Sequence, residues 1–163
     1  MFFYTSDLDS VLIARKIDYS DQVITSANSV MAHNLFLLGK YFYQQQYIDR
    51  SDDMLAAIVP QLMEHPDYFT HWLELLLLRT SKFYEVAIVG PEYERLKADM
   101  DSKVPPNCIL LGGNELQTLK LLENKFTSGI TRIYVCVDKM CKMPVTDVQK
   151  ALEQLVPDAS GSK

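Results

Sequence analysis

The sequence lacks the features that mark several whole classes of protein. No apolar run reaches the ~18 residues that a membrane-spanning helix needs. The longest, such as Leu75 to Leu78, are the size of a buried core segment. Cysteine is scarce: Cys108, Cys136 and Cys141 are the three in the chain. An odd, low count is no disulfide framework and reads as a reduced, cytoplasmic protein. Positive charge is short as well, with 16 Lys plus Arg against 21 Asp plus Glu and a net charge of -5. That argues against nucleic acid as a partner, because phosphate binding needs a basic surface. The start, MFFYTSDLD, has no basic region followed by an apolar one, so it does not read as a secretory signal. There is no repeat of fixed period and no low-complexity tract. What the chain does have is apolar content, 48% of 163 residues, which excludes a disordered chain and suffices for one sizeable domain or two small ones.

Two halves with different patterning meet near residues 79 to 83. The expected organisation is a helical segment over 1–80, a small α/β segment over 81–157 and a flexible polar tail over 158–163. In the first half, FFYT and VLIAR can form a small hairpin. A first helix starts near Ala27, with Ser26 or Thr25 as its cap. Ala27, Val30, Met31, Leu35, Leu38 and Phe42 recur at helical spacing and make its expected buried stripe. A second helix runs from about Tyr47 to Met63 on Met54, Leu55, Ile58, Val59 and Leu62, with Pro60 bending or shortening its last turn. A third follows HPD, with Pro66 in its first turn. It is apolar nearly all round from Tyr68 to Leu78, so it needs cover on every side.

The second half alternates strand and helix. YEVAIVG, NCILLGG and TRIYVCV read as buried strands. PEYERLKADMDSKV, NELQTLKLLENK and VQKALEQLV read as helices, the last capped by Thr146 or Asp147. Continuous apolar strands joined by helices predict a mainly parallel three-stranded sheet, and the fold class as a whole is mixed α and β.

Two stretches carry candidate chemistry. In DQVITSANS, Asp21, Ser26, Asn28 and Ser29 gather at a helix N-terminus, which suits either an anion or hydroxyl-rich ligand or a plain cap. In CVDKMC, Cys136 and Cys141 can meet across a turn, as a redox pair or as a structural one, although redox and zinc motifs usually place two residues between cysteines. The turns at Gly90 and at Gly112-Gly113 lack the full phosphate-binding fingerprint and read as tight turns. His33, His65 and His71 are scattered without the H-E-x-x-H spacing, so no metal site is expected.

The order of segments, with SANSVMAHNL early and YVC followed by CKMPVTD late, resembles the C-terminal end of the YyaL-type family. That family includes the spermatogenesis-associated thioredoxin-like proteins. The resemblance covers Phe2 to Leu155. It implies a much longer protein with a thioredoxin-like domain, then an (α/α) toroid like those of six-hairpin glycosidases, then a terminal α/β segment. This chain then corresponds to the last toroid helices and the α/β segment. By position, Asp21, Ser26, Asn28 and Ser29 match a family segment that opens a helix, with Thr25 and Ala27 where Pro and Gly are usual. Cys136, Cys141, Pro144 and Asp147 match its terminal motif. The resemblance implies a carbohydrate ligand near Asp21 in the full-length protein and no activity of this chain alone, and no cofactor is expected. Helix faces left uncovered are expected to drive self-association. A redox role for Cys136 and Cys141, or a role as a protein-interaction module, are the alternatives.

Overall fold

The computed structural model describes residues 1–6, 8, 14–115 and 118–155, and the chain divides into two compact units, Met1–Thr80 and Ser81–Lys163. The first unit carries α1 (Ala27–Phe42), α2 (Gln45–Glu64), a short 3-10 turn (Pro66–Tyr68) and α3 (Thr70–Thr80). Ser26 is the N-cap of α1, its hydroxyl accepting from Ser29 N–H at 3.1 Å. At the other end Tyr43 takes a left-handed conformation (φ 53°) and donates its N–H to the Gly39 carbonyl, which closes the helix and turns the chain into α2. α2 continues past Pro60 to Glu64. Pro66 opens the 3-10 turn rather than α3 itself, which begins only at Thr70.

The face that α1 buries is not the expected one. Asn28, Ser29, Ala32, Phe36, Gly39 and Lys40 point inward, whereas Val30, Met31, Leu38 and Phe42 are 38–47% exposed. The reason is backbone approach. A Cβ at Gly39 would overlap Ile48 of α2, so the small-residue side of α1 is the side that α2 can reach closely. The buried Ser51 hydroxyl donates to the Ala32 carbonyl at 2.8 Å across the same contact. Met54, Leu55, Ile58 and Leu62 of α2 are buried as expected, with Val59 at the edge. α3 buries only Trp72 and Leu75, and Leu77 is 66% exposed, so it is covered on one side rather than all round. Near the start of the chain, Tyr4 N–H donates to the Lys16 carbonyl at 2.9 Å, but no strand forms there among the described residues, and most of the expected hairpin's second segment lies outside them.

The second unit holds β1 (Tyr84–Val89), α4 (Tyr93–Asp101), β2 (Cys108–Gly113), β3 (Arg132–Val137), β4 (Met140–Cys141) and α5 (Val148–Leu155). Asp147 caps α5, accepting from Lys150 N–H at 3.0 Å. The sheet order is β2-β1-β3-β4. β1 and β2 are parallel, as expected of two strands joined by a helix. β3 is antiparallel to β1, with Val89 opposite Arg132 and Glu85 opposite Cys136, and β4 is antiparallel to β3. The sheet is therefore mixed, not mainly parallel. The cause lies in the segment expected to be the second crossover helix. Asn114 and Glu115 lie at a bend, and from Thr118 on the segment is a run of turns around buried Leu121 and Leu122, ended by Asn124 at φ 61°. A parallel return needs a crossover that travels the length of the sheet, usually a helix. β3 starts where β1 and β2 finish, with Gly113 and Arg132 both paired to Val89.

β1 is the central strand and is buried at every position. One face packs Val86, Ile88, Ile133 and Val135 against Leu96 and Met100 of α4 and Val148, Ala151 and Leu155 of α5. Gly90 follows β1 at φ 136°, and a Cβ there would meet Thr131 Cα at 2.5 Å. That close passage is what this glycine serves, and Thr131 Oγ1 then accepts from Glu92 N–H at 2.8 Å.

Candidate functional site

The first candidate site is built by the loop that enters α1. Asp21 is 2% exposed, and its carboxylate accepts from Ser26 N–H at 2.9 Å, Ser29 Oγ at 2.7 Å and His71 N–H at 2.9 Å. Ser29 Oγ also lies 2.9 Å from the Ser26 carbonyl. Asn28 acts as a piece of sheet: its Oδ1 accepts from Phe2 N–H at 2.6 Å, while Nδ2 donates to the carbonyls of Phe2 at 3.0 Å and Asp18 at 2.7 Å. Asp18 adds an acceptor for Ala27 N–H at 3.2 Å. The four residues singled out in the sequence thus converge, and each has partners within the fold. Together they tie the chain start, the N-terminus of α1 and the N-terminus of α3 into one network. The adjacent surface depression, about 440 Å³, is lined by loop residues that include Lys16, Asp18, Tyr19, Gln22 and Ile24. None of the four lines it.

That network places a pair that sequence spacing did not reveal. His33 of α1 and His71 of α3 stack with ring centroids 3.9 Å apart and planes 9° from parallel. His33 Nε2 lies 2.7 Å from the His71 carbonyl oxygen, and His71 Nδ1 lies 2.8 Å from Glu74 Oε2. Burial pulls the His33 imidazole below its ordinary value, opposed in part by the bond to the His71 carbonyl. The sequence does carry a trace of this cluster: His71 and Glu74 sit three apart on one helix and face each other. His33 joins them only through the packing of α1 on α3. His65 is not part of the cluster.

The second candidate site is the β3–β4 hairpin. Cys136 and Cys141 are cross-strand partners and are joined by a disulfide. The expectation of reduced cysteines is thus corrected for this pair, because the hairpin register sets the two residues side by side. The turn between the strands is Asp138-Lys139, both at positive φ (47° and 69°), the arrangement of a tight hairpin whose twist matches its strands. Cys136 is wholly buried and Cys141 is exposed. Glu85, 1% exposed, lies on β1 directly opposite Cys136, so Glu85, Cys136 and Cys141 form a row across one face of the sheet. Glu85 Oε2 accepts from Lys139 N–H at 3.3 Å, which links the carboxylate to the hairpin turn. Lys125 is drawn below its ordinary value by burial, opposed by the charges of Glu85 and Glu123. Cys108, the remaining thiol, is on β2; burial pushes it up to about 12 and leaves it a poor nucleophile.

No helix among the described residues is long and apolar enough to cross a membrane. No family model matches the chain, and no solved structure matches it. Among curated proteins, mouse spermatogenesis-associated protein 20 is 25% identical over 167 aligned positions, covering 94% of this chain and 21% of the relative. The human protein of the same name is 25% identical over 162 positions, covering 90% and 20%. The chain therefore spans about a fifth of the length of the curated relatives it matches. Its similarity to spermatogenesis-associated protein 20 is distant but runs along nearly the whole chain, in keeping with the resemblance carried by SANSVMAHNL and the paired cysteines.

Proposed function

We propose that the chain is the C-terminal region of a longer thioredoxin-domain protein, and that its own chemistry is thiol–disulfide exchange at Cys136 and Cys141. The observation that carries this reading is the asymmetric pair itself: a closed disulfide with one sulfur buried in the sheet and the other on an exposed two-residue strand. Asymmetry of this kind gives an incoming thiolate one face to attack. A substrate dithiol attacks Sγ of Cys141 and forms a mixed disulfide, and Cys136 leaves as a thiolate that takes up a proton. The second substrate thiolate then attacks the substrate's own sulfur in the mixed disulfide and releases Cys141. The dithiol is oxidised to a disulfide, and two electrons with two protons pass to the chain. A thioredoxin-like domain is a dithiol partner of the right class.

The carbohydrate reading rests on the resemblance alone, because Asp21, Ser26, Asn28 and Ser29 spend their polar groups on one another, on backbone and on α3. A second reading does have its own observation. The outer face of α1 presents Val30, Met31, Leu38 and Phe42 to solvent, which supports self-association through that face.

The test of the redox reading is equilibration of the native chain in glutathione buffers of graded poise, followed by acid trapping, alkylation and mass spectrometry. The expected result is reversible opening and closing of the pair with unit 2 folded, lost in Cys141→Ser and kept in Cys108→Ser. If the pair stays closed under excess dithiothreitol until the chain unfolds, the disulfide is a structural clasp and the proposal fails.

A further inference from the structure

We propose that His33, His71 and Glu74 form a binding site for a divalent first-row transition ion of the zinc class. The three side chains come from two helices of the first unit, and one ligand atom from each lies within 4.8 Å of the others. Among the described residues this is the one cluster of histidine, cysteine and carboxylate groups with that property. Two imidazole nitrogens and one carboxylate oxygen suit zinc and its neighbours, whereas magnesium and calcium take oxygen. Three protein ligands leave a further position for water or a small ligand, and Glu74 stands at the surface, where that position opens to solvent.

The tautomers favour capture. His33 Nε2 donates to the His71 carbonyl, so its Nδ1 carries a bare lone pair. His71 Nδ1 faces the Glu74 carboxylate, the place where a cation replaces the proton the two share. Tetrahedral zinc holds neighbouring ligands about 3.4 Å apart at metal–nitrogen distances of about 2.1 Å. Closing the set asks for side-chain rotation of exposed Glu74 and of the two imidazoles. Parallel rings cannot both aim in-plane lone pairs at one ion, so binding turns them out of their stack.

The frame under the site is rigid. Asp21 bonds the Ser26 and Ser29 end of α1 and, through its other oxygen, the backbone N–H of His71. The buried network thus fixes the backbone that presents both histidines, the support that a metal site requires. This assigns the network of Asp21, Ser26 and Ser29 a role in positioning ligands.

The test is titration of the full chain with Zn²⁺ by calorimetry and with Co²⁺ by visible absorption, using Cys108→Ser with the disulfide closed so that thiols do not contribute. The expected result is a single site of micromolar affinity or tighter, with the intense visible bands of tetrahedral cobalt and a raised unfolding temperature on zinc addition. Affinity should fall at least tenfold in His33→Gln, His71→Gln and Glu74→Gln, and stay unchanged in His65→Gln. Glu74 is exposed, so its variant folds even where a histidine variant does not. No binding, or binding that Glu74→Gln leaves intact, overturns the proposal and reduces the histidine pair to packing.

Discussion

Replacing Asp21 puts the cap network to a quantitative test. Asp21→Ala removes the acceptor of three hydrogen bonds, but the three losses differ. The Ser29 hydroxyl keeps the Ser26 carbonyl within 2.9 Å and loses little. Ser26 N–H, which is buried, and His71 N–H, which is half-buried, have no such substitute, and a donor left unpaired costs about 1–3 kcal/mol, least where water reaches it. Their sum is about 2–6 kcal/mol. Water entering the truncated site recovers part of it, which puts the expected loss near 3 kcal/mol. Asp21→Asn is the sharper variant. Its amide oxygen can still serve Ser26 and Ser29, but its NH2 then faces His71 N–H, donor against donor, for a loss of about 2 kcal/mol. Trp72 is the chain's one tryptophan, fully buried in the same unit, with Nε1 donating to the Tyr19 carbonyl at 2.8 Å. Its fluorescence during urea unfolding reads the first unit directly. At a urea slope of about 1–3 kcal/mol/M, the alanine variant's midpoint falls by about 1–3 M. A loss below about 0.5 kcal/mol for Asp21→Ala refutes the reasoning, because the carboxylate would then be idle in the fold and free for a ligand.

Four further perturbations have defined outcomes. Gly90→Ala drives a Cβ into the backbone at Thr131 and should cost at least about 2 kcal/mol, or abolish folding of the second unit, as read by urea melts of residues 81–155 through hydrogen exchange. Opening the Cys136–Cys141 disulfide removes a short loop closure, so reduction should lower the stability of that unit by about 2 kcal/mol and leave the Trp72 transition in place. The Cys108 thiol stays protonated in the fold to about 12 against an ordinary value of 9.0, so above pH 9 the unfolded state sheds its proton first. Stability of the second unit then falls from pH 9 toward 12, and Cys108→Ala should flatten that slope in pH-dependent urea melts. If the outer face of α1 drives self-association, light scattering at micromolar concentration should show an oligomer that Leu38→Glu with Phe42→Glu converts to a monomer.

Local chemistry was the legible part of this fold. The cap at Ser26 and the strands at 84–89, 108–113 and 132–137 follow from residue type and continuous apolar runs, the first two closed by glycine. Strand direction was not legible, because it depends on what the connection does. Residues 118–124 have the composition of a helix, yet they turn around buried Leu121 and Leu122 and end at Asn124 in a left-handed conformation. The buried face of α1 was misread for a related reason. Large apolar residues at helical spacing usually mark the core side, yet here Asn28, Ser29, Ala32 and Gly39 take it, because close approach and satisfied polar groups outweigh side-chain area. Cys136 and Cys141 were recognisable as partners across a turn once a hairpin was granted. The meeting of His33 and His71 depends on how two distant helices cross, and no local pattern encodes that.

The position of β1 also bears on how the chain is made. β1 is the sheet's centre, and its parallel partner β2 is synthesised soon afterwards, so a β1–α4–β2 unit can assemble early. The other edge of β1 must wait for β3, which closes a long loop and is therefore slow to find its place. Until Val137 has left the ribosome, the apolar strand Val86–Val89 presents a bare hydrogen-bonding edge, a template for pairing with another chain. Translational pausing within residues 114–131 would lengthen that exposure, and faster delivery of β3 would shorten it.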